Sequence, residues 1–159
     1  MLDLIFSIKF VHLLAVAVMF GGWLTLAVFM LLAHRSGNTS VVALTSRFVV
    51  RVETAAVAGA VALQPLSGIA LAWAIGISPF DELWLVVSML LYAVVVACWL
   101  VALRIEMRIR DLTREAALNN LPLDAAYRRL FGAWRMLAGP ILIGMVAIFA
   151  LMTWQPQFG

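Results

Sequence analysis

Charge is what this sequence has least of. Of its 159 residues only 12% are charged while 65% are hydrophobic, and the mean hydropathy is +1.08. That balance excludes an ordinary water-soluble globule. There is a single cysteine, Cys98, inside an apolar run, so no internal disulfide can form. Along the chain there is no cluster of carboxylates, no CxxC, no Ser-His-Asp set and no glycine-rich phosphate loop. Hydrolase, kinase and zinc chemistry are therefore not expected. At 17.4 kDa the chain leaves little room for a soluble domain, so any chemistry sits within or beside membrane helices.

What is there comes in long apolar blocks. They predict an all-α protein, an integral membrane four-helix bundle forming one domain over 1–159, with helices at about 4–33, 54–77, 83–103 and 136–154. The first block lacks the pattern of a cleaved leader, because Asp3 precedes it and the bulky Phe29 and Met30 close it. Pro65, beside Gln64 in the second block, removes a backbone donor and predicts a kink that exposes carbonyls.

The basic residues are one-sided. Arg35, Arg47 and Arg51 follow the first block; Arg104, Arg108, Arg110, Arg114, Arg128, Arg129 and Arg135 follow the third; only Lys9 lies opposite. The positive-inside rule then predicts a multi-pass membrane protein with both termini outside the cytoplasm. Trp73, Trp84 and Trp154 at outer ends, with Trp134 at an inner end, read as an interfacial belt. The basic pI of 9.8 follows from this topology and implies no nucleic-acid partner. Residues about 104–135 read as a cytoplasmic helical hairpin, with Glu106 supporting Arg110 four residues on and Pro122 opening the return helix. Tyr127, Leu130, Phe131 and Trp134 recur opposite Arg128 and Arg129, as in a helix lying among acidic lipid headgroups.

Small residues repeat every four positions at Ala17, Gly21 and Thr25 and at Gly68, Ala72 and Gly76. Such stripes let helices approach closely, either inside one bundle or between two copies in a homodimer. His12 is the main candidate for chemistry, because an ionisable group inside a span normally faces a partner, a cavity or a cofactor. Lys9 lies one turn outward on the same face, placed for an anionic group above His12. The plainer alternative is a neutral histidine bonded to a hydroxyl or carbonyl of a neighbouring helix. His34, about 33 Å along the same helix, reads as a solvated interfacial residue. A lone histidine suits five-coordinate haem, haem with methionine as second ligand, or haem shared by two chains. Met89, Met145 and Met152 share the outer half with His12, and the same atoms suit Cu(I), although methionine is also ordinary filler in apolar helices.

Lys9-Phe10-Val11-His12 with Gly21-Gly22, then Leu63-Gln64-Pro65-Leu66-Ser67-Gly68, then Trp84 to Tyr92, and finally Met152 to Pro156 form a recognisable set. On these residues the whole chain resembles a bacterial family of predicted integral membrane proteins known only as a domain of unknown function. More remotely, helix one looks like that of HemJ-type protoporphyrinogen oxidases, with Lys-x-x-His, a glycine about ten residues later (Gly22) and a histidine near the end. That resemblance implies haem b, a redox or electron-transfer role with an unspecified redox partner, and a cofactor site drawn from Lys9, His12, Gly22, Ser88 and Tyr92. The helix-three lysine of that family is replaced here by Ser88. A similar likeness to CopD-type copper-resistance domains implies copper as an alternative, with His12, Met89 and Met152 as ligands.

Overall fold

The computed structural model describes residues 2–156, and among them only helices and short turns occur. Four long helices follow one another: α1 Leu2–Arg35, α2 Thr39–Ala74, α3 Leu83–Leu118 and α4 Ala125–Trp154, each long and apolar enough to cross a membrane. At about 1.5 Å per residue the 36 residues of α3 run far beyond a hydrocarbon core of about 30 Å. The predicted basic hairpin is therefore made by uninterrupted ends of the spanning helices. Likewise α2 begins at Thr39, well before the predicted boundary at 54, because the stretch carrying Arg47 and Arg51 stays helical.

The connections are short, and their residues explain where the helices stop. Gly37 at φ 64° turns the chain out of α1, and the Asn38 side chain accepts from Ser40 N at 2.9 Å and Val41 N at 3.2 Å to start α2. Gly76 at φ 80° ends α2 before the expected Ile77. Asn120 adopts φ 52° between α3 and α4. Asp124, rather than Pro122, opens α4 by accepting from Tyr127 N at 2.8 Å. The bundle thus has a terminal face, holding the start of α1, the turn at 75–82 and the end of α4, and a hairpin face holding the turns at 36–38 and 119–124.

Helices α3 and α4 form the most extensive pair, the first half of α2 packs on α3, and the first half of α1 packs on the second half of α2. The core gathers toward the hairpin half around Trp23, Met30, Val49, Trp99, Ile109 and Trp134. Exposed Phe6, Phe10, Leu44, Leu90 and Ile143 form the outward apolar surface that a bilayer covers.

Two wide turns interrupt the α-helical register, over Ala17–Gly22 in α1 and Glu53–Val57 in α2, and they face each other. Such π-helical turns shift which side chains point inward. Gly22 sits against Val57, where a Cβ would meet Cγ2 at 3.5 Å. The small-residue stripe of α1 does not pack inside the bundle: Ala17, Gly21 and Thr25 are exposed. On α2, by contrast, Gly68 and Ala72 face neighbouring helices.

The tryptophan belt is also only partly as expected. Trp73 and Trp154 are 67% and 79% exposed, but Trp84 and Trp134 are buried. Each buried indole finds an acceptor inside the protein, Trp84 at Glu82 and Trp134 at Glu106. A buried indole N–H needs such a partner, and here a glutamate competes successfully with the headgroup region.

Candidate functional sites in the bundle

Pro65 organises the first site. It has no N–H, so the carbonyl of Val61 four residues earlier loses its helical donor. The Tyr92 hydroxyl on α3 supplies the missing bond, donating to Val61 O at 2.6 Å. α2 accordingly runs through Pro65 as helix, with the exposed carbonyl satisfied across the interface. Two residues past the proline, Ser67 Oγ donates back to Leu63 O at 2.8 Å, leaving its oxygen free to accept.

His12 of α1 meets this segment. Its Nδ1 lies 3.0 Å from Ser67 Oγ and its Nε2 lies 3.1 Å from Gln64 Nε2. Because the serine proton is committed to Leu63, the self-consistent assignment is an Nδ1–H donating to Ser67 and an unprotonated Nε2 accepting from the Gln64 amide. Gln64 and Ser67 are three residues apart, on one helix face. Gly68 allows the close approach, since a Cβ there would lie 3.2 Å from His12 Cε1. The other half of the glutamine amide, Oε1, is buried without a hydrogen-bond partner.

Other candidate residues are dispersed. Lys9 is exposed one turn outward from His12. Gly22 lies at the wide turn against Val57, and Ser88 is buried with its hydroxyl bonded to Trp84 O at 2.7 Å. Met89 is half-buried; Met145 belongs to the main core, and Met152 packs beside Ala72, Trp84 and Leu85. Among the described residues no group of three or more His, Cys, Asp or Glu side chains is placed to hold a metal ion. What the fold assembles around His12 is Gln64, Ser67 and Gly68. The sequence did carry a signal for this trio, two polar residues three apart flanking a proline within an apolar span.

A second polar site lies toward the hairpin face. Glu53 opens the wide turn of α2, and Glu106 sits on α3; each is only 1% exposed. Trp99 Nε1 donates to Glu53 Oε2 at 2.9 Å and Trp134 Nε1 donates to Glu106 Oε1 at 2.6 Å. The two carboxyl groups are within hydrogen-bonding reach of each other. The chain thus brings together two carboxylates that are 53 positions apart in sequence, although no carboxylate cluster was apparent along it. Nor does Glu106 support Arg110, which pairs instead with Asp111 at 2.9 Å. The overlooked signal is that Glu106 falls on the buried stripe Trp99, Leu103, Ile109 and Thr113, so its side chain turns into the bundle while Arg110, at the half-buried edge of that stripe, turns outward to Asp111.

The neighbouring aromatic residues are not a headgroup anchor either. Tyr127, Phe131 and Trp134 are all buried. His34 is half-buried rather than solvated: its ring stacks on Phe131 at 3.8 Å and 14°, and its Nδ1 lies 2.9 Å from the Tyr127 hydroxyl. The same face of α4 therefore serves His34 and Glu106.

Residues 6–156 match the family described as "Predicted integral membrane protein (DUF2269)", and the chain belongs to it. No curated protein and no solved structure matches the chain.

Proposed function

We propose that this member of an integral membrane family is a haem b-binding redox protein, in which His12 would hold the group through an imidazole nitrogen. The orientation that accompanies this reading is an inner-membrane one, with ten arginines toward the cytoplasm and both termini outside. The observation that supports the proposal is the anchoring of His12 Nδ1 on Ser67, which leaves Nε2, met here by the Gln64 amide, as the nitrogen that would hold the group. Metal-bound histidines are held in this manner, with the second nitrogen donating to a fixed acceptor.

The residues fit the group under one condition. The Gln64 amide that meets Nε2 must turn aside; it is neutral, rotatable and unsecured at its Oε1. Lys9, exposed one turn outward, is the chain's cation for a propionate. Haem bound there supplies one-electron chemistry. The protein's own contribution is to fix the imidazole tautomer and hold α1 to α2 through Gly68. Ser88 and Tyr92 act on the backbone, at Trp84 O and Val61 O, and stand as supports of the helix frame. Cu(I) is less well served, because Met145 and Met152 are taken up in separate apolar clusters.

A second reading has its own observation. Both ring nitrogens of His12 are already partnered by neutral groups, as in a cofactor-free clamp between α1 and α2 of an accessory membrane protein. Titration of haem b into the detergent-solubilised protein separates the two. The haem reading predicts a saturable Soret shift at one haem per site, abolished in His12→Ala and weakened in Ser67→Ala. An unchanged shift in His12→Ala, or none in the wild type, overturns it in favour of the clamp; tight Cu(I) uptake without a Soret band turns the assignment to copper.

A further inference from the structure

We propose that Glu53 and Glu106 hold one proton between them, forming a buried proton-binding site that carries a single negative charge inside the bundle. Two fully ionised carboxylates this close, cut off from water, repel each other too strongly to coexist, and one shared proton turns that repulsion into a hydrogen bond. Each residue is 1% exposed, so no solvent screens the pair. Glu106 Oε2 is buried and has no conventional donor, as expected of the oxygen that shares a proton with Glu53.

The surroundings favour a proton over a metal cation. The groups aimed at the pair are the indole N–H donors of Trp99 and Trp134, which stabilise a carboxylate and repel a cation. No arginine neutralises the pair. On α2, Arg47 and Arg51 are exposed; on α3, Arg104 and Arg108 are exposed and Arg110 bonds Asp111. On α4, Arg129 and Arg135 are exposed. From α1, His34 reaches this region, but it is engaged by Tyr127 and stacked on Phe131, which in turn packs against Trp134. Two acids without a counter-charge and with two neutral donors fit a net charge of minus one.

The wide turn at Glu53–Val57 adds a reason for the placement. Glu53 is its first residue, and the widened register turns the side chain toward α3, whereas neighbouring Arg51 and Thr54 are exposed. A protonatable pair inside a membrane bundle is the arrangement used where protons are taken up or passed on.

The direct test is infrared spectroscopy of the full chain in lipid near neutral pH, reading the C=O stretch of a protonated carboxyl and its shift in heavy water. The other six acids lie apart from the pair as background: Asp3, Asp81, Asp111, Glu115 and Asp124 are exposed and Glu82 is half-buried. The wild type should show a band with the intensity of one carboxyl. Glu53→Gln and Glu106→Gln should each abolish it, because an amide N–H then takes the place of the shared proton. Absence of the band in the wild type overturns the proposal without any variant. Its survival in Glu53→Gln overturns sharing, leaving Glu106 as an isolated acid. Loss of the wild-type band on adding a divalent cation would show the site to prefer a metal, which also contradicts it.

Discussion

The two polar sites of this bundle solve the same problem by opposite means. Around His12, toward the terminal face, neutral groups satisfy one another: a serine already committed to its own helix, a glutamine amide, and an imidazole fixed in one tautomer. Around Glu53 and Glu106, toward the hairpin face, two acids are held by two indole donors drawn from α3 and α4. The first site spans one helix pair and leaves a loose end at Gln64 Oε1; the second ties three helices together within the main core. A site meant to receive a ligand benefits from a partner that can be displaced, whereas a buried charge demands partners that cannot move. The difference suggests a receptive half and a fixed half of one small membrane protein.

The sharpest way to test that contrast is at Trp134, which fills the core and donates to Glu106. Trp134→Ala should cost about 3–5 kcal/mol through cavity formation and loss of the carboxylate's donor. Trp134→Phe, which keeps most of the volume, should cost about 1.5–3 kcal/mol. Both are read from reversible unfolding in mixed micelles, and a loss below 1 kcal/mol for Trp134→Ala would deny that the hairpin half is the fixed one.

Next in size is Gly144 of α4. A Cβ there would overlap Val95 Cγ2, so Gly144→Ala should cost about 1–3 kcal/mol by overpacking the α3–α4 seam. Gly132→Ala, with no atom within 4 Å of the added Cβ, should be neutral or stabilising. Equal effects at the two glycines would contradict the seam.

Much of the fold was legible in the sequence, and the reasons it stopped short are physical. Four spans follow from block length and from the scarcity of charge, because a bilayer imposes that pattern directly. Helix ends were misplaced where polar helix continues beyond the membrane, as at Thr39, because hydropathy reports the lipid boundary and not the end of the hydrogen-bonded ladder. His12 stands out by itself as an ionisable residue in an apolar run. Its partners Gln64 and Ser67 could be placed only by knowing which faces of α1 and α2 meet. Local rules read Trp134 as an anchor and Glu106 as half of a helix-surface pair. Their mutual bond joins α3 to α4 across 28 positions and was invisible to local rules.

A smaller effect probes the proline gap. Tyr92→Phe should cost about 1 kcal/mol by orphaning the Val61 carbonyl. In a Pro65→Ala background the restored backbone N–H occupies that carbonyl, so the cost of Tyr92→Phe should largely vanish in a double-mutant cycle. Undiminished loss in that background would show that Tyr92 matters for another reason. Smallest of all, Ser67→Ala should lower stability by only about 0.6 kcal/mol, the usual scale of an interhelical hydrogen bond in a membrane. A loss as large as that of Trp134→Phe would erase the distinction between the two halves.

The most direct test of the receptive half is the reduced-minus-oxidised absorption spectrum of the protein purified from haem-replete cells, beside His12→Ala prepared identically. A Soret band and a reducible α-band are expected in the wild type, both missing from the variant. A featureless wild-type spectrum at high purity, or bands that persist without His12, would overturn haem binding at this site.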